Sequence, residues 1–107
     1  MSKLMKWDIP EEKLARWLVQ VEENNHDEVR LEICTYLMTE ANKVGRPSVA
    51  NCFESMTGVY TDIKNNHEKD GTLNYFNECA RIGCDTRLKA MVRYFDEDAA
   101  REIGRII

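Results

Sequence analysis

The residues in this chain best able to do chemistry are two histidines, four cysteines and nineteen acids, and their spacing decides what they can do. Glu23 and His26 stand as Glu-x-x-His, the arrangement with which carboxylate-bridged di-metal bundles hold their ions. Those sites take the motif twice, inside helices, with two further inward glutamates. Here it occurs once, at the end of a helical run. The tripeptide NNH occurs at 24–26 and again at 65–67, which invites a repeat. Superposing the two copies sets Trp17 on Gly58, Val21 on Asp62 and Ile33 on Asn74, so the core positions disagree and no structural repeat follows. Each NNH trails an amphipathic run, where Asn suits a helix C-cap and His complements the negative end of the helix dipole.

The cysteines offer no close C-x-x-C pair of the kind structural zinc requires. Cys34 and Cys52 fall on apolar stripes, where a free thiol behaves as a small hydrophobe. Cys84 is the candidate accessible thiol, beside an expected helix N-terminus that would favour its thiolate. Neither histidine lies near it in sequence. The Glu-x-x-Glu and Glu-x-x-Asp pairs of helical nucleotide pyrophosphatases are absent, as is any glycine-rich phosphate loop. The sequence therefore predicts a protein that is not an enzyme and takes no cofactor and no metal.

The elements that would carry these residues are all helical. Asp8, Pro10, Glu11 and Glu12 form a helix start, and Leu14, Trp17, Leu18 and Val21 follow at i, i+3, i+4 and i+7. Asn24-Asn25 ends that run, since Asn tolerates the left-handed conformation a C-cap needs. Asp27 is expected to cap a second helix ending at Gly45, with Val29, Ile33, Tyr36, Leu37 and Val44 inward. Ser48 is expected to cap a third, with Val49, Cys52, Phe53, Met56, Val59, Tyr60 and Ile63 inward. Residues 65–71, NNHEKDG, read as the clearest loop. Thr72 then caps a short fourth helix burying Leu73, Tyr75, Phe76, Cys79 and Ile82 and stopping at Gly83. Asp85 caps a fifth with Leu88, Met91, Val92 and Phe95, and Asp96 a sixth with Ala99, Ala100, Ile103, Ile106 and Ile107. The expectation is an all-α, compact bundle of five to six short helices in a single domain, residues 1–107, with an apolar N-terminal arm over 1–9.

Ala41, Gly45 and Arg46-Pro47-Ser48 resemble in spacing the turn of a helix-turn-helix. In that reading Arg46 touches a phosphate, Ser48 caps the recognition helix and Asn51 reads adenine. The outward face from Val49 onward shows Glu54 and Asp62 against Lys64 alone, a charge balance that a duplex repels. A plain bend between two bundle helices fits better, and DNA binding stands as the alternative.

Bulk properties agree. The chain has 107 residues and a net charge of −4, 43% of its residues are hydrophobic, and no segment is basic. Protein surfaces that live on phosphate contacts show a Lys/Arg stripe. No apolar run is long enough to span a bilayer, and four cysteines without a signal peptide read as reduced thiols, so cytoplasmic residence is expected. Two features invite a partner. Glu22, Glu23, Asp27, Glu28 and Glu32 crowd the first interhelical connection, with only Arg30 among them. Both ends are apolar, with Leu4, Met5, Trp7 and Ile9 at one and Ile103, Ile106 and Ile107 at the other, and must dock on the bundle, on a second copy to make a homodimer, or on another protein. The expected function is a small acidic protein-binding module of inhibitor, immunity or adaptor type, such as phage accessory proteins supply. Its acidic connection would steer toward a basic surface, with Trp7 or Trp17 as anchor and Ile106 and Ile107 as apolar contacts.

Overall fold

The computed structural model describes residues 6–70 and 75–107, the side chains of 68–70 excepted. Leu4, Met5, Thr72 and Leu73 lie outside the described residues. Among those described there are five helices and no strand: α1 (Glu11–Glu22), α2 (His26–Lys43), α3 (Pro47–Asp70), α4 (Tyr75–Phe95) and α5 (Glu97–Ile106). The radius of gyration is 13.8 Å, near the ~13 Å of a compact chain of this length.

The stops and starts follow from backbone chemistry. Asn24 takes φ +66°, and the amides of Asn24 and Asn25 donate back to the carbonyls of Val21 and Gln20. Gly45 takes φ +74°, with Gly45 and Arg46 donating to Asn42 and Ala41. Both are Schellman endings, in which a left-handed residue lets the chain satisfy the last carbonyls before turning. Pro47 opens α3 at its first position, where a missing N–H costs nothing, so Ser48 lies inside the helix and does not cap it. Asp27 likewise lies within α2, which starts at His26.

Two expected boundaries do not exist. The polar stretch from Asn65 continues α3 as helix to Asp70, where a loop was expected. Lys64 pairs with Glu28 at 2.8 Å, and Asn66 and His67 also bond to other helices, so these polar residues are held in tertiary contacts. Gly83 and Asp85 sit in the middle of α4, which joins the expected fourth and fifth helices into one. That continuity fixes the helix phase. With 3.6 residues per turn, the inward face set by Leu88, Val92 and Phe95 runs back through Asp85, Cys84 and Asn77. Tyr75, Phe76, Cys79 and Ile82, expected to be buried, are consequently exposed.

α2 and α3 form an antiparallel hairpin, since the start of α2 meets the end of α3 through Glu28–Lys64 and Asp27–His67. α4 packs on α3, α5 folds back against α4, and α1 leans on both α2 and α5. Ile33, Leu37, Phe53, Met56, Leu88, Val92 and Ile103 fill the centre. Each large side chain withdrawn from water in this way is worth roughly 1.5–3 kcal/mol. Trp7 is 4% exposed and lies edge-on between Phe53 and Phe95, with ring centres 5.6 Å from each. Ile106 is buried and Ile107 packs against the core, so the described apolar residues of both ends dock on their own bundle.

Candidate functional site

Polar side chains converge where the start of α2, the second half of α3 and the first half of α4 meet. Arg30, only 6% exposed, projects from α2, and its Nε donates to both carboxylate oxygens of Asp85 at 3.0 and 3.3 Å. Asp85 also accepts from the Tyr60 hydroxyl on α3 and from Arg81 Nη1, one helical turn earlier, at 2.9 Å. Arg81 Nη2 reaches back to Glu78. A carboxylate receiving three cationic or hydroxyl donors is the form in which a buried charge is tolerated.

The groups around Asp85 titrate accordingly. Burial, with the hydrogen bond to Asp85, pushes the Tyr60 phenol well above its ordinary value. Burial, with the Cys84 and Asp85 charges, does the same to the Cys34 thiol. Cys84 is raised by burial too, against a hydrogen bond from Tyr60. The expected accessible, thiolate-prone Cys84 is thus corrected: it lies mid-helix, buried and held as a thiol. Its expected helix N-terminus belonged to a helix that does not start there. Cys52, assigned to a core stripe, is exposed, as is Cys79.

Beside this network a cavity of about 390 Å³ opens to solvent, lined by Asn24, His26, Asp27, Arg30, His67 and Arg81. His67 Nδ1 meets Asp27 at 2.6 Å, and its Nε2 is buried with no hydrogen-bond partner. Arg30 makes its bonds through Nε, leaving its Nη nitrogens free of protein acceptors. The two NNH segments therefore come together in space around this cavity, through Asn24, His26 and His67, without forming a repeat. Among the described residues no three acids, thiols or imidazoles converge as a metal site would require.

The structure separates the other expected site residues. Trp17 is 1% exposed and donates from Nε1 to Glu32 at 3.0 Å, so neither it nor Trp7 presents a surface to a partner. Glu32 also takes Arg16, and Glu28 takes Lys64. Glu22 and Glu23 stand exposed at the end of α1. Arg46, Ser48 and Asn51 are exposed at the opposite end of the α2–α3 hairpin. That hairpin runs antiparallel along its length, whereas the two helices of a helix-turn-helix cross at about 90–120°.

Sequence reasoning missed the outer face of α4. Tyr75 and Phe76 are 77% and 80% exposed, their rings edge to face at 5.9 Å, with Cys79 and Ile82 below them. The missed signal was the phase relation between residues 75–82 and 88–95, which only an unbroken helix makes meaningful. No helix among the described residues is long and apolar enough to cross a membrane. No family model, curated protein or solved structure matches the chain.

Proposed function

We propose that this chain is a protein-binding module, of the inhibitor, immunity or adaptor kind, acting without catalysis. The observation that carries the reading is the pair Tyr75 and Phe76, two large aromatic rings standing in solvent at the head of α4. Aromatic side chains of this type dominate binding energy when a partner covers them. Exposed acids share that end of the bundle. The Asp27–His67 and Asn66–Asn77 bonds bring the α1–α2 turn, with Glu22 and Glu23, to the end of the bundle where α4 begins. With a net charge of −4, the partner that fits is a protein whose contact surface joins an apolar patch to basic side chains.

The test compares the native chain with a Tyr75→Ala/Phe76→Ala variant, each immobilised and exposed to an extract of its own cells. A protein retained by the native chain at moderate salt and lost by the variant supports the reading. Equal retention by both would refute it. So would recovery of duplex DNA, bound in a salt-sensitive way that Arg46→Ala abolishes.

A further inference from the structure

We propose that the cavity between the α1–α2 turn, α3 and α4 is a binding site for a phosphoryl group. The proposal does not rest on the protein-docking reading, since it uses different residues, although both lie near the α1–α2 turn.

Arg30 is the central observation. Its side chain is 8% exposed, its Nε is spent on Asp85, and its two Nη nitrogens have no protein acceptor although the residue lines the cavity. A buried guanidinium with free donors facing solvent-connected space is what recognition of a planar or tetrahedral oxyanion requires. Asp85 holds that guanidinium from behind and Tyr60 holds Asp85, so its orientation is fixed before any ligand arrives.

A second, independent group points the same way. Nε2 of His67, on α3, is buried without a partner, while Nδ1 is occupied by Asp27. Once protonated, His67 offers its Nε2 proton as a further donor. His26 and Arg81 stand on the remaining walls. The cavity also lies at the start of α2, an eighteen-residue helix whose cap residue Asn25 makes no side-chain capping bond, which leaves first-turn amides as donors. The Arg30 Nη donors, the His67 nitrogen and the first-turn amides of α2 together suit three terminal oxygens better than the two of a carboxylate.

Charge sets the conditions. The described charged groups around the cavity are Arg30 from α2, Arg81, Glu78 and Asp85 from α4, and Asp27 from α2, with His26 and His67 as the titratable pair. Two cations face three carboxylates there, so recognition falls to the directed Arg30 donors and not to surplus positive charge.

The test is a nuclear magnetic resonance titration of the full chain, following the imidazole signals and the Arg30 Nε–H signal. The probes are inorganic phosphate, phosphoserine and adenosine monophosphate, with sodium chloride and acetate at matched ionic strength. Expected are saturable shifts at Arg30 and His67 with at least one phosphoryl probe. His26→Ala, at an exposed position, and His67→Gln each weaken the binding about tenfold, the loss of one charge-assisted hydrogen bond. Binding of inorganic phosphate identifies the free ion as sufficient; binding of only phosphoserine or the nucleotide identifies its carrier as part of the ligand. Both support the site. Equal response to acetate, or no saturable response to any probe, overturns it.

Discussion

The backbone amide of Trp7 donates to one carboxylate oxygen of Asp96, 89 residues away, at 3.0 Å, while the other oxygen of Asp96 caps α5 through the amides of Asp98 and Ala99. One buried side chain thus fixes the entry of the chain and the start of its last helix. The tether holds the Trp7 indole between Phe53 and Phe95, so Trp7 is part of the core.

Replacing Asp96 with Ala removes the Trp7 tether and the α5 cap together. Cap loss alone costs about 1 kcal/mol. The total in urea unfolding is expected to exceed that, and Trp fluorescence should report earlier exposure of Trp7. Asp96→Asn, which keeps a carbonyl for the cap, should recover part of the loss.

Asp85→Ala leaves the Arg30 guanidinium buried without its counter-charge and should cost about 3–5 kcal/mol. Replacing both, as Arg30→Met with Asp85→Leu, should restore most of the lost stability, because the desolvation penalty disappears with the charges. A double variant as unstable as the single one would contradict this account of the network.

Gly83→Ala distinguishes one helix from two. Gly83 lies inside α4, and an added Cβ would meet nothing within 4 Å. The substitution is expected to stabilise by about 0.5–1 kcal/mol. Gly45→Ala should do the reverse by about 1 kcal/mol, since φ +74° disfavours a side chain although the space is open. Thermal midpoints of the two variants check the pair.

Stability should fall in alkali. Cys34, Cys84 and Tyr60 all have their proton-binding forms favoured by folding, from ordinary values of 9.0 for the thiols and 10.0 for the phenol. Tyr36 is raised to about 12 by burial and by Glu40. Above pH 9 the unfolded chain loses these protons first and binds fewer of them than the native state, so stability declines with rising pH. Below pH 9 their contribution is fully present. Urea midpoints measured from pH 8 upward should fall, and Cys34→Ala should flatten the slope.

Thiol labelling reads the corrected cysteine placement directly. Cys52 and Cys79 should react with a maleimide in the native state, and Cys34 and Cys84 only after denaturant is added. Fast native labelling of Cys84 would contradict the burial derived from α4's phase.

What could be read in advance was whatever a single residue type decides. Asn24 and Gly45 announce left-handed stops because few other residues accept that conformation, and Asp96 announces a cap. The all-helical class and most of the α2, α3 and α5 core followed from periodicity. Asp85 misled because a helix-capping acid and a buried acceptor for Arg30 look alike in one dimension. Gly83 misled for a similar reason, as glycine both ends helices and occurs within them. The cavity beside Arg30 was illegible because Arg30, His67 and Arg81 come from three helices, and no local spacing encodes their meeting.

An unbroken α4 constrains how its sequence can drift. Every residue from Asn77 to Leu88 occupies an angular position 100° from its neighbour. Inserting or deleting one residue there would swing Asp85 away from Arg30 and turn an outer ring toward the interior, or else shear the later half off the core. Side-chain replacements along the outer stripe leave the rod intact. This stretch should therefore accept exchange of letters far more readily than any change in their number.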